Sequence, residues 1–316
     1  MYEDWSERCR RWAGIRSEWI DVDGVRVHVL RTDGADPQGT PQLLIHGLGG
    51  CATNWIEVIC DLAAHGPVVA PDLPGFGRTE PTEPGRVRVP DNAEFLQLLL
   101  DELGWDEAVV HGNSMGGMLA VHLAGLAPER VARLVLAAPA FPTPPTALHR
   151  VPPTTLARFA PFALPGLGRF AMRLLSSAVS PERYFQEAAR FIHADPDRVT
   201  PEARAVGLED VSLGRDAPWR VAAFTAAAES VVRSMLAPGD LLKLIDDAAM
   251  PVLVVWGDAD RLISRTAIDH VMKRQPTWDL EVLPSVGHVP MLEAPADYVA
   301  AVDDWLQVAT PTALAA

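Results

Sequence analysis

Ser114 is a lone hydroxyl in Gly112-Asn113-Ser114-Met115-Gly116-Gly117, where the apolar stretch "AVVHGN" runs into a helical pattern over 114–127. Three readings suit a serine so placed: a phosphate-binding loop, a tight turn without chemistry, or a nucleophile on a strained elbow. A phosphate-binding loop carries Lys and Ser or Thr after its last glycine, so that a cation meets the phosphates, whereas Met118 and Leu119 follow Gly117. A dinucleotide-binding fingerprint is absent too, because Gly75-Phe76-Gly77 continues as Arg78-Thr79-Glu80 with no third glycine. Gly-x-Ser-x-Gly alone recurs by chance in roughly one chain in ten of this size, so partners elsewhere must decide. A serine hydroxyl needs a positioned base, and the base an orienting acid. His288 follows the strand-like "LEVL" in a loop with Gly287 and Pro290, and Asp258 and Asp260 follow the strand-like "PVLVVW". On position alone either aspartate fits. A helix starting just after Ser114 would aim free N–H groups and its positive dipole end at a developing oxyanion.

The elements that must position these residues are legible from periodicity. Residues 16–31 read as a hairpin, alternating polar and apolar around Asp23-Gly24, a dipeptide that supplies the positive φ of a two-residue turn. Short apolar strands follow, "QLLIHG", "PVVAPD", "AVVHGN", "RLVLAAPA", "PVLVVWGD" and "WDLEVLP", with helical stretches over 51–64, 91–103, 114–127, 264–274 and 295–308. Apolar strands alternating with helices predict an α/β protein with a mostly parallel central sheet and helices on both faces. Between residues 140 and 249 the alternation stops. That stretch opens with Pro142, Pro144, Pro145, Pro152 and Pro153 and continues with helical runs such as "FAMRLLSSAV" and "WRVAAFTAAAESVVRSML". The expected organisation is a core of residues 1–139 and 250–316 with an inserted helical cap over 140–249. Seven of the nine phenylalanines lie in this insertion. An apolar ligand would sit beneath it, with Phe141, Phe159, Phe162 and Phe170 the candidates to line its pocket.

Composition narrows the partners. A chain of 316 residues that is 48% hydrophobic and 22% charged is expected to be soluble and globular. A net charge of −14 argues against nucleic acid, whose binders present basic patches. "MYEDWSERCRRWAG" lacks the apolar centre of a secretory signal, and no run of about eighteen apolar residues suggests a membrane span, so a cytoplasmic protein is expected. Cys9, Cys51 and Cys60 are odd in number and match no zinc spacing, which predicts free thiols in a reducing compartment. His149, His193 and His270 have no cysteine or carboxylate at metal-ligand spacing, so no metal site is expected. His28, His65 and His122 read as packed or solvated, and His111 as a structural residue behind the elbow. Oligomeric state is not legible.

Five segments, "HGLGG", "DLPGFGRT", "GNSMGG", "GDADRLI" and "GHVPMLEAP", occur in an order that resembles the α/β-hydrolase fold family, in particular its capped serine carboxylesterase and lipase-like members, over residues 42–139 and 250–308. The chain order Ser, Asp, His is also that family's. The resemblance implies Ser114 as nucleophile, His288 as base and Asp260, the last Asp of Gly257-Asp258-Ala259-Asp260, as acid in preference to Asp258. It implies an oxyanion hole from the backbone N–H groups of Leu48 and Met115. His46 would then shape its loop, and Asp72 would brace the loop below the site. The implied activity is cleavage of a small-molecule carboxylic ester with an apolar acyl or aryl group through an acyl-enzyme, with no cofactor. "GNSMGG" also resembles hydrolases that cleave carbon–carbon bonds in aromatic ring-fission products, although those usually carry an aromatic residue after the histidine, where this chain has Val289. Epoxide hydrolases and haloalkane dehalogenases share the fold but attack with a carboxylate where Ser114 stands. A noncatalytic small-molecule receptor on the same fold is the alternative from another class, since fold does not fix function.

Overall fold

A two-residue turn sets the first pair of strands. Asp23 and Gly24 sit at φ 50° and 78°, the positive values that match a hairpin's twist. They fold β1 (Arg16–Val22) back on β2 (Val25–Thr32), in a register running from Arg16 opposite Arg31 to Val22 opposite Val25. The computed structural model describes residues 4–308 other than 84, 165 and 216. The first three and last eight residues of the expected core therefore lie outside the described residues.

Six more strands complete one sheet: β3 (Gln42–Ile45), β4 (Val68–Pro71), β5 (Ala108–Asn113), β6 (Val131–Ala137), β7 (Val252–Gly257) and β8 (Asp279–Leu283). Their order is β1-β2-β4-β3-β5-β6-β7-β8. β2 pairs antiparallel with β1 and β4, and every other neighbouring pair is parallel. The inner strands are mostly apolar because alternate side chains feed two cores. Leu43, Ile45, Val110, Leu134, Leu136 and Val254 enter one core, and Leu44, Val109, Val135, Ala137 and Val255 the other.

Helices cover both faces. The chain passes from β3 through a tight 3-10 turn (Ala52–Trp55) into α1 (Ile59–Leu62), then from β4 into α2 (Val89–Glu102) and from β5 into α3 (Met115–Leu126). The continuous helix expected over 51–64 is thus cut short. Asp72 Oδ1 holds the N–H of Ala52 at 2.7 Å, and the β-branched Ile56, Val58 and Ile59 resist a smooth helical run. Between β6 and β7 the chain runs through α4 (Pro153–Phe159), α5 (Leu167–Ala178), α6 (Pro181–Ile192), α7 (Pro201–Arg215), α8 (Arg220–Leu236) and α9 (Gly239–Asp247), with no strand among the described residues. α10 (Arg265–Arg274) follows β7, and α11 (Pro290–Glu293) and α12 (Pro295–Val308) follow β8.

The helical segment between β6 and β7 is sewn to the rest. Ala223 and Ala227 of α8 enter the first core, and Ala203 and Val206 of α7 the second. Asp210 of α7 accepts from Thr53 Oγ1 at 2.7 Å and from Arg78 Nη2 at 3.3 Å, and Thr155 Oγ1 of α4 donates to Arg261 O at 2.7 Å. No helix of the described residues is long and apolar enough to cross a membrane.

Candidate active site

β3 lies between β4 and β5, so the connections after β3 and β5 diverge at the carboxyl edge of the sheet, the place where open α/β sheets bind ligands. Ser114 stands there, at the junction of β5 and α3, with φ 55° and ψ −114°. Few residues other than glycine adopt a positive φ, and the surroundings must hold it. The Ser114 N–H donates to Ala137 O at 3.1 Å, while Ser114 O accepts from Ala140 N at 2.9 Å and Met118 N at 3.2 Å. Glycines permit the crowding behind the turn. A Cβ on Gly112 would stand 2.3 Å from Gly116 O, and one on Gly116 would stand 2.2 Å from Ile45 O.

The same crowding brings the loop after β3 against the elbow. A Cβ on Gly47 would lie 3.2 Å from Ser114 Cβ, so the Gly47–Leu48 backbone runs beside the serine. Met115 opens α3, where first-turn N–H groups have no partner inside the helix. His46 sets the loop's shape: its Nδ1 donates to Gly47 O at 2.8 Å and its Nε2 accepts the Leu73 N–H at 3.1 Å. Burial lowers its pKa against the pull of the Gly47 carbonyl and Asp72, in keeping with a neutral ring.

Asp260 and His288 meet. His288 Nδ1 lies 2.8 Å from Asp260 Oδ2, and the two side chains are only 5% and 0% exposed. The loop after β7 aims the acid, because Asp260 Oδ1 accepts the N–H groups of Leu262 at 2.7 Å and Ile263 at 3.0 Å, an Asx-type turn. Only Oδ2 is left for the ring. Asp258 is exposed and instead accepts the Ser285 N–H at 2.6 Å. Among the described residues, the hydrogen bond between His288 and the elbow is not to Ser114 Oγ. It runs through Asn113, whose Nδ2 donates to His288 O and to Ala137 O, both at 3.0 Å. Nucleophile–base contacts are often loose before substrate arrives and tighten around it.

Two residues that sequence reasoning passed over support the histidine. Asn113 is one. The other is Glu293, a buried carboxylate that accepts the N–H groups of Gly287 at 2.9 Å, Ala194 at 3.1 Å and Asp195 at 2.8 Å. His288 N–H itself donates to Ile192 O at 2.7 Å, so the histidine loop rests on the end of α6. Nothing in the spacing of "GHVPMLEAP" reveals contacts made about a hundred residues upstream.

The remaining candidates have structural surroundings. Asp72 accepts from His28 Nδ1 at 2.9 Å, Ala52 N at 2.7 Å and Arg78 N at 2.8 Å, tying hairpin, turn and loop together. His111 lies between Tyr298 OH at 3.0 Å and Gln42 Oε1 at 2.9 Å, and burial pushes its pKa down to about 3. His65 pairs with Asp303 at 2.6 Å. All three cysteines are free, and burial raises the thiols of Cys51 and Cys60, the latter to about 11. The phenylalanines divide. Phe141 is in the core against Trp278, with ring centroids 6.2 Å apart, and Phe170 is 67% exposed, so neither suits a pocket wall. Phe162 packs on Phe224 at 5.8 Å, and the Phe224 ring covers Gly49, where a Cβ would meet Cε2 at 3.0 Å.

With this geometry the chain belongs to the α/β-hydrolase fold family, whose model, described as "alpha/beta hydrolase fold", matches residues 41–295. It is a hydrolase of that fold. Among curated proteins it is similar to the dihydrolipoyllysine-residue acetyltransferase component of the acetoin cleaving system of Cupriavidus necator, 28% identical over 292 residues, 90% of this chain and 68% of that protein. It is 30% identical over 274 residues to a pimeloyl-[acyl-carrier protein] methyl ester esterase of Aromatoleum aromaticum, 83% of this chain and 96% of that one. Among solved structures, the 2-hydroxy-6-oxo-6-phenylhexa-2,4-dienoate hydrolase of Rhodococcus sp. strain RHA1 superposes with a TM-score of 0.74 at 25% identity, covering 93% of this chain and 99% of that one.

Proposed function

We propose that this chain is a serine hydrolase that cleaves carboxylic esters with an apolar acyl or aryl group. The observation that carries the reading is a serine held at φ 55° on a strand-to-helix elbow, whose neighbour Asn113 holds the backbone of a buried histidine that a buried aspartate engages at Nδ1 at 2.8 Å. With Asp260 Oδ2 accepting from Nδ1–H, His288 Nε2 is the free base. Ser114 Oγ attacks the ester carbonyl carbon as its proton passes to Nε2, and the N–H groups of Leu48 and Met115 receive the carbonyl oxygen as it gains charge. The tetrahedral species collapses, the alcohol leaves with the proton from Nε2, and Ser114 carries the acyl group. Water then gives a proton to Nε2 and its oxygen to the acyl carbon, and the bond from that carbon to Ser114 Oγ breaks as Nε2 returns the proton to Oγ, releasing the acid and the free serine. Residues 140–249 act as a cap over this site, and the location is cytoplasmic.

A second reading, carbon–carbon cleavage of a ring-fission product, has the likeness to the Rhodococcus dienoate hydrolase behind it. Val289, the residue after the histidine, is buried in the second core with Met291 and Tyr298, which leaves no aromatic ring at that place to meet a dienoate.

The test joins labelling to turnover. A fluorophosphonate should label Ser114, p-nitrophenyl esters should turn over with a burst, and Ser114→Ala should abolish both while leaving the fold intact. In a comparable serine hydrolase, loss of the nucleophile costs about 10⁶ in kcat. An Ala variant with a tenth of wild-type activity would remove Ser114 as nucleophile, and labelling without turnover of any ester or dienoate would favour a receptor.

A further inference from the structure

Exposed apolar side chains are unevenly placed on this protein. Leu148, Leu156, Leu164, Leu167, Phe170 and Leu174 are all exposed, Phe170 at 67% and Leu174 at 59%. They fall in one run, from the turn Pro145–Arg150 through α4 to α5. The same stretch of chain is devoid of negative charge: residues 130–181 contain no Asp or Glu, where the average of 41 acidic residues in 316 would place about seven. Arg150, Arg158, Arg169 and Arg173 are exposed there, and none forms an ion pair among the described residues. In α5, Leu167, Phe170 and Leu174 share one face by their spacing, and Arg169 and Arg173, four apart, form a row beside it. Gly168 is the one buried residue of that helix, and a Cβ there would meet Phe162 Cδ1 at 2.5 Å. The helix is thus seated on the fold by Gly168 with the half-buried Ala171, Met172 and Leu175, while Leu167, Phe170 and Leu174 are turned outward.

We propose that this face docks on the surface of an anionic lipid bilayer. A Leu and Phe face flanked by basic residues is what a helix lying in a membrane interface presents, and arginine stems can lie along the apolar layer while their heads reach phosphate groups. The rest of the chain enforces the orientation. With a net charge of −14, the protein is repelled by an anionic surface except where α4 and α5 face it. A second copy of this chain is the weaker occupant, because a two-fold pairing would set the four arginines against their own counterparts. The inference goes beyond the ester reading and does not rest on it, since partition onto vesicles requires no turnover.

The experiment is co-sedimentation with phosphatidylcholine vesicles containing about one-third phosphatidylglycerol, against phosphatidylcholine alone, at low salt and at about 0.5 M salt. The wild type should bind the anionic vesicles at least tenfold more tightly and lose that preference at high salt. Each basic residue near such a surface is worth about fivefold, so Arg169→Gln with Arg173→Gln should weaken anionic binding about 25-fold. Phe170→Ser with Leu174→Ser should weaken it at least tenfold. Both variants should melt like the wild type and hydrolyse soluble p-nitrophenyl acetate at its rate. Equal binding to neutral and anionic vesicles would overturn the proposal, as would an arginine variant that binds like the wild type. So would light scattering that shows a lipid-free dimer broken by the Phe170 and Leu174 substitutions.

Discussion

Glu293 Oε2 accepts the Gly287 N–H at 2.9 Å, one residue before His288. The same carboxylate accepts from Ala194 and Asp195 at the end of α6, so the histidine loop and the helical segment share one buried anion. Glu293→Gln keeps the shape but replaces one accepting oxygen with a donor, leaving an N–H without an acceptor at a buried site, at a cost of about 1–3 kcal/mol. The expected outcome on a soluble ester is a kcat lowered on the order of ten- to a hundredfold, the effect of misplacing a reacting group by about an ångström. KM should change little. A lowered denaturant midpoint with unchanged kcat would make Glu293 a structural residue only.

That carboxylate also gives stability a pH dependence. Burial works against its charge, but the His193 ring and the N–H groups of Asp195, Gly287 and Ala194 outweigh it and hold the Glu293 pKa below its ordinary 4.5. At Asp72, burial is likewise outweighed by His28 and the N–H groups of Ala52 and Arg78, and the pKa falls below 3.8. A carboxyl that is more acidic folded than unfolded adds stability above its unfolded pKa and loses it as the pH falls through the folded one. Urea midpoints should therefore hold steady from about pH 7 to 5 and fall steeply below about 4.5. Glu293→Gln should start lower and lose less in acid, so that the two curves converge. A gap that stays constant to pH 3 would show that the charge contributes nothing.

The sequence carried the parts of the site that sit at strand ends. Strand-like runs of four to seven residues marked β3 to β8, and the turns that follow them lie at the sheet's carboxyl edge, which is why Ser114 just after β5, Asp260 three residues after β7 and His288 five residues after β8 could be picked out. The choice between Asp258 and Asp260 came from resemblance, and the structure supplies its physical side: the turn that uses Asp260 Oδ1 points Oδ2 at the ring, while Asp258 is exposed. Asn113 and Glu293 stayed hidden because their partners are backbone groups, which every residue has. The phenylalanines misled for a related reason. Composition counts Phe141 and Phe170 alike, whereas one is in the core and the other in solvent.

Asp260→Asn should separate the two aspartates. An amide at that position stabilises the wrong ring tautomer, and by analogy with serine proteases kcat should fall on the order of 10⁴. Asp258→Asn keeps an Oδ1 that can accept the Ser285 N–H and should keep kcat within about threefold, as surface changes usually do. The reverse ranking would transfer the orienting role to Asp258.

Phe224 is a side chain with which the proposed cap reaches the proposed oxyanion loop, since its ring covers Gly49 and is backed by Phe162. If the acyl group lies along that ring, Phe224→Ala should discriminate between chain lengths. Each buried methylene is worth roughly 0.8 kcal/mol, so an octanoyl ester that loses contact at two of them should fall about tenfold in kcat/KM. An acetyl ester, too short to reach the ring, should change less than twofold. Phe170→Ala provides the control, because that ring is 67% exposed and should alter neither ester in free solution. Thermal melting must accompany the comparison, since Phe224 also packs in α8 and its loss could loosen the helix and lower both esters alike. An equal fall for acetyl and octanoyl esters in a variant that melts like the wild type would place the acyl chain elsewhere and remove the support for an apolar acyl preference.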